Sequence, residues 1–307
     1  MNEREIIRNQ VLRGIALNRE PGYHFTGNFL DVSFDRAAGG EAWLSLDTGP
    51  HCAEADGQMN LGAFAVLVDL AMAATVRSNL DPATRLATVT MMLNFTGAPL
   101  TGRLEAAGAF QGFIQDAAGR QGLSSVAVSA GSRAVCFGSA SFMVLKPPKG
   151  VELHPMPNRR RGEATAPALA ETKLARDERL VLARAEATLD VGGPFIRRFW
   201  GFEPHAIAGG ASCTVKNGPH IGNRVGHVQG GVLIGFAAAT AVAALPATWA
   251  LISISAWYIS PGEGRALRAK SKVVHHGRLV SVVQTRITGK NNRRVLEVMT
   301  THAHRAG

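Results

Sequence analysis

The sequence predicts an α+β protein built from two copies of one unit, in each of which an antiparallel sheet wraps a central helix. Two observations carry that expectation. The first is an internal repeat, the pattern that most strongly governs a fold assignment: Gly49-Pro50-His51 recurs as Gly218-Pro219-His220, an offset of 169 that also takes Gly40 to Gly209 and Gly62 to Gly231 without gaps. The second is that each half holds one nearly all-apolar stretch of helical length followed by β-rich sequence.

The elements follow in the same order in both halves. An amphipathic pattern predicts helices over about Glu3–Leu17 and Thr172–Leu189. Strand-like segments come next, Phe29–Phe34 and Glu41–Leu46 in one half, Phe202–Ile207 and Ala211–Lys216 in the other. The apolar helices are Leu61–Arg77 and Gly230–Leu245; a helix apolar on every side must be buried on every side, and its Ala and Gly residues let a sheet approach closely. Each half closes with four strands, Thr88–Phe95, Gly102–Phe110, Ser124–Ser129 and Arg133–Leu145, then Ala250–Ile259, Arg265–His275, Leu279–Thr288 and Arg294–His302. Between the halves, Lys146–Ala170 carries five prolines (Pro147, Pro148, Pro155, Pro157, Pro167) and the run Arg159-Arg160-Arg161, which reads as an extended, solvated linker. The expected domains are residues 1–147 and 171–307, joined by 148–170.

Composition narrows the function. With 307 residues, 46% hydrophobic and 18% charged, the chain has the apolar mass for folded cores. Cys52, Cys136 and Cys213 are too scattered for a disulfide framework or a metal site, which suits a reducing cytoplasm. Met1–Leu17 reads as an amphipathic helix rather than a leader, and Gly230–Pro246 is too short to span a membrane, so a soluble protein is expected. Lys plus Arg against Asp plus Glu stands at 12 to 13 in residues 1–150 and 21 to 10 in residues 151–307, a net of −1 and of +11. Such asymmetry suits nucleic acid, an anionic membrane or a phosphate-bearing small molecule. Low aromatic content and the lack of any zinc-finger, KH or RNP-like pattern disfavour nucleic acid.

The residues at the apolar helices resemble the hotdog-fold acyl-CoA thioesterases of the phenylacetate-degradation type, here as a tandem double hotdog. That family's pattern is an Asn, a His-Gly-Gly opening the central helix, an acid nine residues after the His, a Ser or Thr on the next strand, an aromatic with a Pro-Gly turn, and a Gly-Arg. The second half shows Asn223, His227 and Gln229-Gly230-Gly231, then Trp257, Pro261-Gly262 and Gly277-Arg278. The first shows Asn60-Leu61-Gly62, Asp69 nine residues after Asn60, Thr88, Phe95, Pro99, Gly102 and Gly119-Arg120. Each half departs from the pattern. Glu54 stands where Asn223 has its counterpart, Ala238 where Asp69 has its own, and Ala250 opposite Thr88.

The resemblance implies a site shared between two hotdogs, the Gly-Gly helix start of one facing the acid of the other. One complete composite site per chain is therefore expected, with Asp69, Thr88, Gln229, Gly230 and Gly231 as catalytic residues and Asn223, His227, Arg265 and Arg278 binding substrate. The chemistry fits these types. A free amide at a helix start stabilises the oxyanion of thioester hydrolysis, while a buried carboxylate with a raised pKa activates water or attacks the thioester carbon itself. Arg265, Arg268, Lys270, Lys272 and Arg278 are expected to meet the phosphates of coenzyme A. The Met91-Met92 pair is read as core or acyl-tunnel wall, and His51 and His220 as turn or surface residues. No cofactor or metal beyond the coenzyme A of the substrate is implied, nor any nucleic acid or membrane partner; a homodimer or larger homo-oligomer is. A non-catalytic acyl-CoA-binding protein is the main competing reading, since Ala238 shows one acid already lost. A hotdog dehydratase ranks below it because Asp-x-x-Pro-x-His is absent. No Gly-x-Ser-x-Gly or Gly-x-Gly-x-x-Gly supports a serine hydrolase or a dinucleotide enzyme.

Overall fold

In the computed structural model, which describes residues 2–20, 22, 24–81, 84–115, 119–146, 154–163 and 169–305, twelve strands form one antiparallel sheet. The first half contributes β1 (Ser33–Ala38), β2 (Glu41–Asp47), β3 (Arg85–Phe95), β4 (Arg103–Gln115), β5 (Arg120–Ala130) and β6 (Arg133–Leu145). The second contributes β7 (His205–Ile207), β8 (Gly210–Lys216), β9 (Trp249–Tyr258), β10 (Ala266–His276), β11 (Val280–Thr288) and β12 (Arg294–His304). Their order is β1-β2-β4-β5-β6-β3-β9-β12-β11-β10-β8-β7, so the second half repeats the first in reverse across a seam where β3 pairs with β9, Met92 opposite Ser255.

Two apolar helices, α3 (Leu61–Arg77) and α6 (Gly230–Val242), lie against this sheet and against each other. Asn60 caps α3, its Oδ1 accepting from the amides of Gly62 and Ala63; Gln229 caps α6, its Oε1 accepting from Val232 at 2.9 Å. The helices approach so closely that a Cβ at Gly231 would lie 2.5 Å from the Ala65 carbonyl, and one at Gly235 would lie 2.2 Å from the Gly62 Cα. The buried apolar residues of both halves form one continuous cluster.

The outer helices are α1 (Glu3–Asn18), α2 (Phe25–Leu30), α4 (Arg176–Val191) and α5 (Phe195–Trp200). Here the sequence expectation needs correction. The first two residues of the expected strand Phe29–Phe34 are the end of α2, and Phe202–Ile207 shrinks to the three-residue β7 behind α5. Their aromatic content favours strands, but Phe25/Phe29 and Phe195/Phe199 stand at i, i+4, and these rings meet between the two short helices, with Phe29 and Phe199 centroids 5.3 Å apart. Each helix ends on a left-handed residue, Asp31 or Gly201. The remaining elements differ from expectation by their ends: α6 stops at Val242, β4 runs on to Gln115, and α4 begins at Arg176 after a 3-10 turn, Glu171–Lys173.

The described part of the connector is docked on the first half rather than free, while His154, Pro155, Asn158, Arg160 and Glu163 stay exposed. The Arg159 carbonyl accepts from the Phe34 amide, Arg161 donates its amide to Ser33 Oγ, and the Arg161 guanidinium meets Asp31 and Asp47. The carboxylates of Asp31 and Asp47 draw the Arg run to this edge, adding to the Arg13 pair that Asp31 already makes. Pro147, Pro148 and Pro167 lie outside the described residues. No helix among the described residues is long and apolar enough to cross a membrane.

Candidate functional site

Asp69 sits in the middle of α3, buried, and faces the start of α6. Thr88 on β3 donates to its Oδ1 at 3.0 Å, Gln229 Nε2 donates to its Oδ2 at 2.7 Å, and the Gly231 amide donates to the same carboxyl. Burial pushes the Asp69 pKa up to about 6 against the pull of these three hydrogen bonds. Gly230 is indispensable by shape: a Cβ there would lie 2.9 Å from Asp69 Oδ2 and 3.3 Å from Thr88 Oγ1. The structure thus brings Asp69, Thr88, Gln229, Gly230 and Gly231 together in one cluster.

Gln229 does two things at once, capping α6 through its oxygen and fixing Asp69 through its nitrogen. Asn60 holds the matching cap of α3, but its amide nitrogen turns back to Glu54 of its own half. Tyr258, which closes β9, donates its hydroxyl to the Gly230 carbonyl at 2.9 Å; burial and the nearby Asp69 keep the phenol well above its ordinary pKa. Tyr258 is not among the residues that the sequence pattern marks. Its signal was available, because Phe95 closes β3 where Tyr258 closes β9, and a hydroxyl present in only one copy of a buried position demands a partner.

A cavity of about 390 Å³ opens beside this cluster. Asp69, Leu70, Ala73 and Arg77 line it along α3; Leu86 and Thr88 of β3 and Phe142 and Met143 of β6 form another wall. Asn223 and His227 line it too, in a loop closed by Asn223 Oδ1, which accepts from the amides of Val225 and His227. His227 Nε2 lies 3.1 Å from Glu263, and burial holds the imidazole below its usual pKa.

Other expectations are relocated. Arg265 and Arg278 are exposed and outside the cavity, Arg265 just before β10 and Arg278 in the turn after it. Arg268, Lys270 and Lys272 alternate along the exposed face of β10, since a strand sends every second side chain outward. Met91 is core, while Met92 points out of the sheet, 44% exposed, so neither forms a tunnel wall. His220 is buried against Phe199 rather than exposed, its pKa lowered to about 3 by burial. Three cations that the sequence reading did not single out, Arg77, Arg85 and Arg224, line the cavity instead.

Several solved structures match most of the chain, and three represent them. They are the tesB protein of Mycobacterium avium subspecies paratuberculosis (12% identity, 89% of this chain and 96% of that one, TM-score 0.53), a protein of Lactobacillus plantarum described as a candidate oleoyl thioesterase (10%, 87% and 97%, 0.54), and a hotdog-fold protein of unknown function from Alicyclobacillus acidocaldarius (8%, 90% and 96%, 0.52). At these identities the likeness establishes the hotdog fold. Residues 220–304 match the family model of the acyl-CoA thioesterase N-terminal domain. The class these findings support is a thioester hydrolase, with the family likeness confined to residues 220–304. No curated protein matches the sequence.

Proposed function

We propose that this protein is a tandem double hotdog of the phenylacetate-degradation type that hydrolyses an acyl- or aryl-CoA to the free acid and coenzyme A at one composite site, with residues 1–147 and 171–307 as its two units. The observation that carries the reading is the Asp69 carboxyl held by Thr88 of one half and by Gln229 and Gly231 of the other. With the Gly231 amide turned to Asp69, the Gly230 amide is the donor for the thioester oxygen, at a helix start where it has no intrahelical partner. Asp69 then either takes a proton from the attacking water or forms an acyl anhydride that water opens. In both routes a carbon–oxygen bond replaces the carbon–sulfur bond and the thiolate leaves, to be protonated. A single turnover in heavy-oxygen water tests for direct attack with opening at the aspartyl carbon, which leaves label in Asp69 and none in the product acid.

The reading implies no cofactor beyond the coenzyme A of the substrate. The three buried free cysteines suit a reducing cytoplasm, and a homodimer or larger assembly remains the expectation. Hydrolysis of an acyl-CoA panel by wild type and by Asp69→Asn tests the proposal. Equal turnover in both removes Asp69 from the mechanism, and tight acyl-CoA binding without hydrolysis makes the protein a binder.

A further inference from the structure

The cavity has two chemically distinct ends. Asp69, Ala73 and Arg77 follow one another at i, i+4 and i+8 on α3, so the Arg77 backbone lies ~12 Å along the helix from that of Asp69. Arg77 and Arg224 line the same cavity, where burial and then the Arg224 charge hold the Arg77 guanidinium below its usual pKa. Each spends a single N–H on a backbone carbonyl, Arg77 on Thr84 at 2.7 Å and Arg224 on His154 at 3.0 Å. A guanidinium has five donors, and among the described residues no carboxylate pairs with either. Arg85 lines the cavity as well, and like charges in one partly apolar cavity with no carboxylate paired to them among the described residues are costly. Leu86, Phe142 and Leu145 wall the same cavity.

The other half sharpens the point. The offset of 169 sets Ala55 against Arg224 and Pro246 against Arg77, just as it sets Ala238 against Asp69. Both arginines are thus found only on the side that has the acid, which ties them to that site rather than to the fold.

We propose that Arg77 and Arg224 form the receptor for a carboxylate carried by the acyl group, so that the preferred substrate is an ω-carboxyacyl-CoA, the monothioester of a dicarboxylic acid. This rests on the thioesterase reading. The missing counterion is an anionic oxygen group that forked guanidinium donors bind in pairs. Apolar walls between it and Asp69 suit the methylene chain joining a carboxylate to a thioester.

The test compares glutaryl-, adipyl- and suberyl-CoA with valeryl-, hexanoyl- and octanoyl-CoA, matched in length and differing only in the terminal carboxylate. Wild type is expected to show kcat/KM higher by about tenfold or more for the best carboxylate over its neutral partner, and in Arg77→Met and Arg224→Gln that ratio is expected to fall to about one. Thermal unfolding of each variant separates this from loss of fold, and the wild-type ratio stands without any variant. Hydrolysis of both series with no preference overturns the carboxylate receptor and leaves the thioesterase intact. Weakened binding of free coenzyme A in Arg77→Met assigns the guanidinium to phosphate and likewise overturns it. Hydrolysis of neither series overturns the thioesterase reading and the receptor with it.

Discussion

The two helix starts, of α3 and of α6, differ less in backbone than in what faces them. Both are capped by an amide side chain, both have glycine at the second helical position, and both are gripped by the other helix. Across from α6 stand Asp69, Thr88 and the Tyr258 hydroxyl. Across from α3 the helix offers Ala238, and the strand end beside it is Phe95, packed on Phe64 at 5.5 Å. The caps reflect the same division: Gln229 is one methylene longer than Asn60 and reaches the opposite helix, while Asn60 bonds within its own half. A backbone that supplies a helix dipole and a glycine is therefore only a frame, and the side chains opposite decide whether a reaction can occur there.

Transplanting the acid gives the largest expected contrast. Asp69→Asn should lower kcat by about a thousandfold while the fold persists. Ala238→Asp should add no activity and cost several kcat-independent kcal/mol, about 2–5, in denaturant unfolding, because it buries a carboxyl with neither Thr nor Gln to hold it. Activity gained by Ala238→Asp would show that the frame alone suffices.

Protonation distinguishes the sides more finely. Because the Asp69 pKa is raised from 3.8 to about 6, the folded state prefers the neutral acid, so ionisation costs stability that is present below 3.8 and lost as pH rises through about 6. Relative to wild type, Asp69→Asn should thus gain about 2–3 kcal/mol of stability across that window. The wild-type kcat/KM should climb through about pH 6 on the same ionisation. A profile flat down to pH 4 would remove the carboxylate from the rate-determining chemistry.

Gly230→Ala inserts a methyl 2.9 Å from Asp69 Oδ2, and kcat should drop by about ten- to a hundredfold; Gly62→Ala, on the side without the acid, should register in Tm rather than in rate. The smallest effects belong to single hydrogen bonds. Tyr258→Phe should cost about 1 kcal/mol of stability with a few-fold change in kcat, and Asn60→Ala about 1 kcal/mol of stability with the rate unchanged.

Much of this contrast is legible in the sequence. The offset of 169 identifies the paired helix starts, and the replacement of Asp69 by Ala238 marks which side carries the acid, because periodicity and a lone carboxylate in an apolar run survive without coordinates. What escapes the sequence depends on relations across the chain. Tyr258 matters only because β9 ends beside α6. Arg77 reads as the last, solvent-facing residue of a helix until the loop of Arg224 closes over it. The +11 charge of the second half suggested phosphate binding by Arg265 and Arg278, but strand alternation sends much of that charge outward, and the cations of the cavity come from both halves. Short aromatic helices such as α2 and α5 were hidden because their stability comes from ring contacts between halves rather than from local propensity.

The β3–β9 seam has a consequence for behaviour in dilute solution. Where two separate subunits meet along such a seam, dilution below their dissociation constant pulls the acid away from the glycine amide and activity decays with concentration. Here the partners are tethered, and their mutual concentration is set by the chain and not by the sample. Specific activity should therefore hold constant to whatever dilution the assay can detect, and the two faces of the seam were released from having to match, each free to accept substitutions that a symmetric pair would suffer twice.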